Sequence, residues 1–269
     1  MSTVSNPPTL VLGDIHDQID LADRAIAKFS ARCARVVMLG DYFDSWGRGD
    51  GAEKMRATCR WLRQSSEDPS RIHLIGNHDF SYLLNSHPQA WCPGWTVEKQ
   101  NAFDAEMTGV SIGSFRIACQ AGPWLLSHAG FHRDDLDRMG SLGLIGKIER
   151  DFLSASTGRR SWLFDNGPTR GGSDEHGGPL WLDWSREFLP TAGIDQIVGH
   201  TPSRGVVRWK CLTAAGTHRA YELASPATSF LGRPLPQAGP EWISVNCCLD
   251  TGLVLAGIIE GGRLEIVEV

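Results

Sequence analysis

Residues 36–44 have the sequence VVMLGDYFD, in which a short apolar run leads through one glycine into a polar cluster. The same arrangement occurs in LVLGDIH at residues 10–16 and in IHLIGNHD at residues 72–79. Short runs of valine, isoleucine and leucine that end at a glycine are typical of strands buried on both faces. These stretches therefore predict three core strands, each followed by a loop that carries polar side chains.

The rest of the chain extends this pattern. Two further runs of the same kind are WLLSHAG at residues 124–130 and IDQIVGHT at residues 194–201. Apolar residues at helical spacing predict helices over about 19–33, with Asp17 or Asp20 as the N-cap, and over about 55–62. Alternating strands and helices indicate an α/β layered fold, and we expect one domain. The C-terminal third predicts hairpins that close a second sheet, with strands at residues 206–211, 219–223, 242–248, 253–259 and 264–269.

Composition excludes several classes of protein. The 269 residues are 41% hydrophobic and 21% charged, which rules out a chain that is disordered throughout. The formal net charge of −5 argues against a nucleic-acid-binding module, which usually carries a basic excess. We find no apolar stretch of membrane-spanning length and no signal peptide, and we expect a cytoplasmic protein without a membrane partner. The seven cysteines lack a CxxC spacing, so we expect reduced thiols and no disulfide framework.

Metal-ligating side chains follow five of the predicted strands. The carboxyl ends of strands are where ligands collect in α/β sheets. This mixed nitrogen and oxygen set suits Mn²⁺, Zn²⁺ or Fe. Six ligands exceed one tetrahedral site but are enough for two ions that share a carboxylate, and Asp41 on the central run is the natural bridge. The candidate ligands are Asp14, His16, Asp41, Asn77, His128 and His200.

The same loops offer an acid for catalysis. His78 directly follows Asn77, and its side chain is free to face a leaving-group oxygen and protonate it. Asp44, three residues after Asp41, is the candidate to orient the imidazole of His78; a helix cap is the alternative role for Asp44. Two divalent cations, two carboxylates and a bridging hydroxide leave a small positive charge, which would attract a phosphate anion.

The ordered motifs GDIH, GDYFD, GNHD, SHAG and VGHT resemble those of the calcineurin-like metallophosphoesterases. More narrowly they resemble the phosphoprotein phosphatase branch, with its bacterial and phage members and the diadenosine tetraphosphate hydrolases, as does the tail that begins CLDTG at Cys248. The resemblance implies a β-sandwich of two mixed sheets flanked by helices, in α-β-β-α layers. It also implies two divalent ions, Mn²⁺ first and Fe or Zn as alternatives, and a bridging hydroxide that attacks phosphorus directly.

The resemblance also assigns roles to residues. Asp14 and His16 match the ligands of the first metal, Asp41 the bridge, and Asn77, His128 and His200 the ligands of the second metal; His78 matches the catalytic acid and Asp44 its partner.

Three positions depart from the family pattern. Asp17 replaces a glycine, Asp79 replaces a glutamate, and Ser45 replaces the arginine that grips the substrate phosphate. Arg48 is a candidate substitute for that arginine. For the second phosphate-binding arginine we choose Arg170, with Arg186 as the alternative.

The sequence therefore predicts a phosphoester hydrolase, first of all a phosphomonoesterase resembling Ser/Thr protein phosphatases. A phosphodiesterase or dinucleoside polyphosphate hydrolase is the alternative, because fewer charged side chains suit a less charged phosphate. A non-catalytic scaffold is disfavoured, since every ligand and the acid are present. The expected partner is a phosphorylated substrate: a phosphoprotein, a small phosphoester or a nucleotide.

Several tryptophans lie near these motifs. For Trp91 and Trp95 we favour packing of a loop against the sheet over a substrate rim. For Trp181 and Trp184 the sequence leaves both roles open.

Overall fold

The first sheet has five strands and contains the three strands predicted from the opening motifs. The computed structural model describes residues 7–45, 47, 50–140, 143–203, 205–224 and 242–269. Strands β1 (Thr9–Leu12), β2 (Arg35–Met38) and β3 (Arg71–His73) are parallel, and β1 also pairs antiparallel with β10 (Leu255–Glu260). Strand β11 (Arg263–Glu268) completes the order β11-β10-β1-β2-β3. Because β1, β2 and β3 run in one direction, their following loops meet at one edge.

The second sheet has six strands in the order β4-β5-β6-β9-β7-β8. Strands β5, β6 and β9 are parallel, whereas β4, β7 and β8 pair antiparallel with their neighbours. Both sheets are therefore mixed, as the resemblance implied. The strands are β4 (Ala118–Ala121), β5 (Trp124–Ser127), β6 (Asp195–Val198), β7 (Val206–Leu212), β8 (His218–Ala224) and β9 (Ser244–Cys248).

The core explains why the strands are short and continuously apolar. Along β1, Leu10 and Leu12 pack in the cluster that includes the helices, whereas Val11 packs between the two sheets with Leu126 and Ile197. Since successive strand residues point to opposite faces, a strand with a sheet on one side and helices on the other is apolar at every position. The fold is thus a β-sandwich flanked by helices.

The sequence predicts only two of the α-helices that the structure describes. The two predicted helices are α1 (Ile19–Phe29) and α2 (Ala52–Ser66). The predicted N-cap of α1 is wrong: Gln18 occupies that position, and the Asp17 carboxylate instead accepts hydrogen bonds from the Ser45 amide at 3.1 Å and the Thr58 hydroxyl at 2.7 Å. The other α-helices of the described residues are α3 (Asn77–Leu83), α4 (Val97–Glu106), α5 (Arg133–Met139) and α6 (Leu144–Ala155).

All seven cysteines are buried. In the part of the chain that the structure describes, no helix has both the length and the apolar character needed to span a bilayer.

Candidate metal centre

The structure brings all six predicted ligands together at one edge of the sandwich. They arrive on the loops that follow β1, β2, β3, β5 and β6. Two sets of their side chains converge closely enough to hold an ion, and both contain Asp41. We name the set of Asp14, His16 and Asp41 the first ligand group, and the set of Asp41, Asn77, His128 and His200 the second ligand group.

The second ligand group has the spacing of atoms around one ion. The Asn77 Oδ1 atom lies 3.0 Å from His128 Nε2 and 2.9 Å from His200 Nδ1. The two imidazole nitrogens are 3.1 Å apart, and His128 Nε2 lies 3.4 Å from Asp41 Oδ2. Ligand atoms at about 2.1 Å from a shared metal lie roughly 3.0–3.4 Å apart in octahedral or tetrahedral geometry. These four atoms therefore fit one cation.

The first ligand group is slightly wider. His16 Nε2 lies 3.7 Å from Asp41 Oδ2 and 3.9 Å from Asp14 Oδ2. Two ligands of one ion can be at most about 4.2 Å apart at the same bond length, so this group also fits one cation. Because Asp41 Oδ2 is the near atom in both groups, the two groups share one carboxylate oxygen.

The hydrogen bonds of His16 and His128 fix which ring nitrogen of each side chain carries the hydrogen. His16 Nδ1 lies 2.8 Å from the Phe43 carbonyl oxygen, and His128 Nδ1 lies 3.0 Å from that of Leu39. A carbonyl oxygen only accepts, so each Nδ1 carries the hydrogen and each Nε2 presents a lone pair. Those lone pairs face the carboxylate oxygens and the Asn77 carbonyl oxygen, which are acceptors too. Acceptor atoms that converge in this way fit a metal ion.

The protein surroundings disfavour the ionised form of the Asp14 and Asp41 carboxylates. Burial raises the pKa of Asp14, and the nearby Asp250 carboxylate raises it further. Burial and the Asp14 carboxylate raise the pKa of Asp41 well above its ordinary value. Both groups are almost fully buried. A divalent cation would reverse this balance, because opposite charge within contact distance favours the ionised form.

The backbone is strained at several of these positions. His16, Asp41, Asp44 and His200 have φ values of 43°, 50°, 67° and 66°, in the left-handed region that non-glycine residues rarely adopt. Each such residue costs about 1–3 kcal/mol, and such strain clusters at functional sites.

Two glycines leave the space that the Asp41 and Asp14 carboxylates occupy. A Cβ atom at Gly76 would lie 2.1 Å from Asp41 Oδ1, and one at Gly199 would lie 2.1 Å from Asp14 Oδ1. The glycine that precedes each polar cluster in these two motifs is therefore required by close approach of a ligand carboxylate.

His78 and Asp44 form the predicted pair beside the ligand groups. His78 Nδ1 lies 2.7 Å from Asp44 Oδ2, while Asp44 Oδ1 accepts hydrogen bonds from Tyr82 Oη at 2.8 Å and Lys99 Nζ at 2.7 Å. The Asp44 carboxylate thus contacts side chains rather than a helix N-terminus. Burial alone would raise its pKa, but His78, Lys99 and Tyr82 together lower it below the ordinary value. An ionised Asp44 holds the His78 ring in one orientation.

A cavity of about 520 Å³ opens over these residues, and Arg170 lies in its wall. The Arg170 guanidinium is held by Asp183 at 3.1 Å and donates to the Thr201 hydroxyl at 3.0 Å. Arg186, the alternative, is exposed and does not line the cavity. Arg48 lies outside the described residues. Arg170 is therefore the arginine that the structure brings to the ligand groups.

The tryptophans near the motifs differ in whether they line the cavity or are buried. Trp91 lines the cavity with 64% of its surface exposed, so the prediction that it packs against the sheet is wrong for this residue. Trp181 also lines the cavity, whereas Trp184 is buried against Phe188.

Sequence reasoning missed two residues that belong to the site. Asp250 lines the cavity and follows β9, so the rule that identified the other strand-end loops also applies to the segment CLDTG. Lys99 lies on α4, where its side chain is buried and bridges Asp44 and Asp50 at 2.7 and 2.8 Å. No local motif marks Lys99, because its partners lie about fifty residues earlier in the chain.

The family model for calcineurin-like phosphoesterase matches residues 7–204. No curated protein sequence matches the chain significantly.

Several solved structures resemble the chain. A metallophosphoesterase from Sphaerobacter thermophilus is 14% identical with a TM-score of 0.46, over 97% of this chain and 88% of that one. A serine/threonine phosphatase from Saccharomyces cerevisiae is 13% identical with a TM-score of 0.47, over 100% of this chain and 82% of that one. A putative diadenosine tetraphosphatase is 15% identical with a TM-score of 0.40, over 100% and 96%.

The family model spans most of the chain, and the residues it matches carry both ligand groups together with the His78–Asp44 pair. This chain therefore belongs to the calcineurin-like phosphoesterase family and is a hydrolase of phosphoester bonds.

Proposed function

We propose that this hydrolase is a binuclear metal-dependent phosphomonoesterase whose substrate is a phosphorylated protein or small molecule. The observation that carries the proposal is the shared carboxylate: Asp41 belongs to both ligand groups, beside His78 and in the cavity that holds Arg170. Two cations and one arginine at one cavity suit a phosphate group with two negative charges.

We propose that Asp14, His16 and Asp41 hold one divalent ion and that Asp41, Asn77, His128 and His200 hold the other. The donor set of imidazole, carboxylate and amide oxygen supports Mn²⁺, with Fe or Zn as alternatives. The Asn77 amide nitrogen donates to Cys92 Sγ at 3.2 Å, which turns the carbonyl oxygen toward the histidines. Bound divalent cations supply Lewis-acid stabilisation of the phosphoryl oxygens and lower the pKa of water.

The protein side chains supply binding and proton transfer. Arg170 donates to phosphoryl oxygens and keeps its orientation through Asp183 and Thr201. As water attacks phosphorus and the bond to the leaving group breaks, His78 gives its proton to the leaving oxygen. Asp44 keeps the His78 ring aimed, and Lys99 with Tyr82 keeps Asp44 in place. No covalent phosphoenzyme is formed in this scheme.

The metal requirement is tested with a phosphate monoester as the substrate. Metal-stripped protein should not hydrolyse p-nitrophenyl phosphate, and added Mn²⁺ should restore turnover as the bound ions approach two per chain. Metal content measured by mass spectrometry after desalting gives the stoichiometry independently of activity. Turnover that persists in the stripped protein would contradict the proposal, as would full activity with a single ion per chain.

A diesterase or dinucleoside polyphosphate hydrolase is the second candidate, because the described part of the cavity wall offers few positively charged side chains. Among the cavity-lining residues that the structure describes, Arg170 carries the only guanidinium. Ser45, at the position of the missing arginine, accepts a hydrogen bond from Lys54 Nζ at 3.0 Å. Faster Mn²⁺-dependent hydrolysis of bis(p-nitrophenyl) phosphate than of the monoester would favour this candidate.

Substitution of Arg170 by alanine is expected to lower kcat/KM for the monoester by about 10- to 100-fold, mainly through a higher KM, because charge-assisted hydrogen bonds contribute about 1.5–3 kcal/mol each. Steady-state kinetics check this, with thermal melting to confirm that the variant is folded. The matched control is Arg186→Ala, which removes an exposed guanidinium outside the cavity and should leave kinetics unchanged. If Arg186→Ala lowered kcat/KM and Arg170→Ala did not, Arg186 would be the phosphate-binding arginine instead.

A further inference from the structure

The Trp91 side chain is exposed although its backbone is anchored. Trp91 has 64% of its surface open to solvent and is the most exposed large apolar residue among those that the structure describes. The next residue, Cys92, is buried and accepts a hydrogen bond from the amide of the candidate ligand Asn77. A loop fixed at this point holds the ring at the cavity mouth. Because Trp91 lines the cavity, its ring is placed to contact a ligand there.

A second tryptophan connects Trp91 to the ligand groups. The rings of Trp91 and Trp181 are nearly parallel, with an interplanar angle of 18° and centroids 6.5 Å apart. The Trp181 ring in turn meets the His200 ring edge-on at 5.9 Å. All three residues line the same cavity. The aromatic surface thus begins beside a candidate metal ligand and extends outward to Trp91.

Trp91 also borders a second cavity of about 270 Å³. Ser81 and Asn85 line that cavity, and both follow His78 in the chain; the Ser81 hydroxyl donates to the His78 carbonyl oxygen at 2.7 Å. The second cavity therefore adjoins the helix that carries the proposed acid. Together the two cavities offer room for a group much larger than phosphate.

We propose that Trp91, backed by Trp181, is a platform that stacks against a planar aromatic group carried on the phosphate ester, on the leaving-group side of the centre. This proposal rests on the proposed function, since it places the phosphate at the two ligand groups. The shared chemistry is a flat π-system, which a nucleobase or a simple aryl group would supply. Pro93 and Pro202, which also line the main cavity, add apolar and rigid surface beside the rings.

Binding of matched ligands to the Mn²⁺-loaded protein tests the platform without turnover. Calorimetry would compare phenylphosphonate with methylphosphonate, and the methylene phosphonate analogue of adenosine 5′-monophosphate with the corresponding analogue of ribose 5-phosphate, none of which has an ester bond to hydrolyse. Each pair has the same phosphorus group and differs in the aromatic ring. One stacked ring should give the aromatic member about 5- to 10-fold tighter binding. The pair with the larger ratio identifies the source of the ring, aryl or nucleobase.

Variants assign that preference to Trp91. Trp91→Ala should lower the ratio to about one, whereas Trp91→Phe should keep most of it. Both should bind inorganic phosphate as the wild type does. Leu153→Ala is the control, because Leu153 is an exposed apolar side chain on α6 outside both cavities.

The outcomes separate this proposal from the proposed function. Equal affinities within both pairs for the wild type would overturn the platform, and so would an unchanged ratio in Trp91→Ala. If inorganic phosphate binds in either case, the proposed function still stands. A loaded protein that binds neither phosphate nor the phosphonates would overturn both.

Discussion

The Asp41→Asn variant is expected to lose at least about 1,000-fold in kcat/KM for p-nitrophenyl phosphate and to retain fewer than two metal ions per chain. Asp41 Oδ2 lies 3.4 Å from His128 Nε2 and 3.7 Å from His16 Nε2, so one carboxylate serves both ligand groups. An amide is a weaker ligand than a carboxylate and carries no charge to hold the second ion. A metal ion contributes several kcal/mol of transition-state stabilisation, which corresponds to a loss of this size.

Thermal stability gives the same variant a second readout. Burial and the Asp14 carboxylate raise the pKa of Asp41, so an ionised Asp41 costs folding energy when no cation is bound. We expect metal-free Asp41→Asn to melt at or above the temperature of metal-free wild type. The rise in melting temperature that Mn²⁺ gives to the wild type should be smaller or absent in the variant.

The matched control for this experiment is Asp195→Asn. Asp195 is a partly buried carboxylate on β6 that accepts a hydrogen bond from the Val245 amide, and it does not line the cavity. It should keep both ions and wild-type kinetics. If Asp41→Asn kept two ions and full activity, Asp41 would not be the shared ligand.

The strands could be predicted because burial on both faces leaves a strong local signal. Leu10 and Leu12 face the helices, whereas Val11 faces the other sheet, so each of the three positions has to be apolar. The apolar run is therefore visible in the sequence without knowledge of the packing partners. The polar residues after each strand were informative because parallel strands end at one edge. The same reasoning reached Asp14, Asp41, Asn77 and His200 without any knowledge of their distances.

The parts that were missed depend on contacts between distant segments. Asp17 looked like a helix cap, but Thr58 and the Ser45 amide bind its carboxylate from other loops. Lys99 carried no signal, because an isolated lysine in a helix is usually solvated. Trp91 was expected to pack because large aromatic residues usually do, and only the fold shows that its loop is fixed at Cys92 while its ring remains outside. Local pattern therefore predicts which residues enter the site more reliably than what surrounds them.

Replacement of His78 by alanine is expected to lower kcat by about 100- to 10,000-fold for an alkyl phosphate such as phosphoserine, the range that general acid catalysis supplies. The His78 ring is fixed by the 2.7 Å contact between its Nδ1 atom and Asp44, and it lies in the wall of the cavity, together with members of both ligand groups. Kinetics on a series of phosphate monoesters with leaving groups of increasing acidity measure the effect. The loss should shrink toward p-nitrophenyl and dinitrophenyl phosphate, because those leaving groups depart without a proton.

The dependence on the leaving group separates proton donation from a structural role. Alanine at Ser81, whose hydroxyl contacts the His78 backbone on the same helix, should lower all rates by a similar small factor. Asp44→Asn should show the graded loss of His78→Ala in weaker form, because an amide still contacts the ring but stabilises its protonated state less. A uniform loss across the series in His78→Ala, with both ions retained, would mean that His78 positions the phosphate rather than protonating the leaving oxygen. The acid would then have to be sought among the other groups of the cavity wall, where Asp250 is a titratable side chain outside both ligand groups.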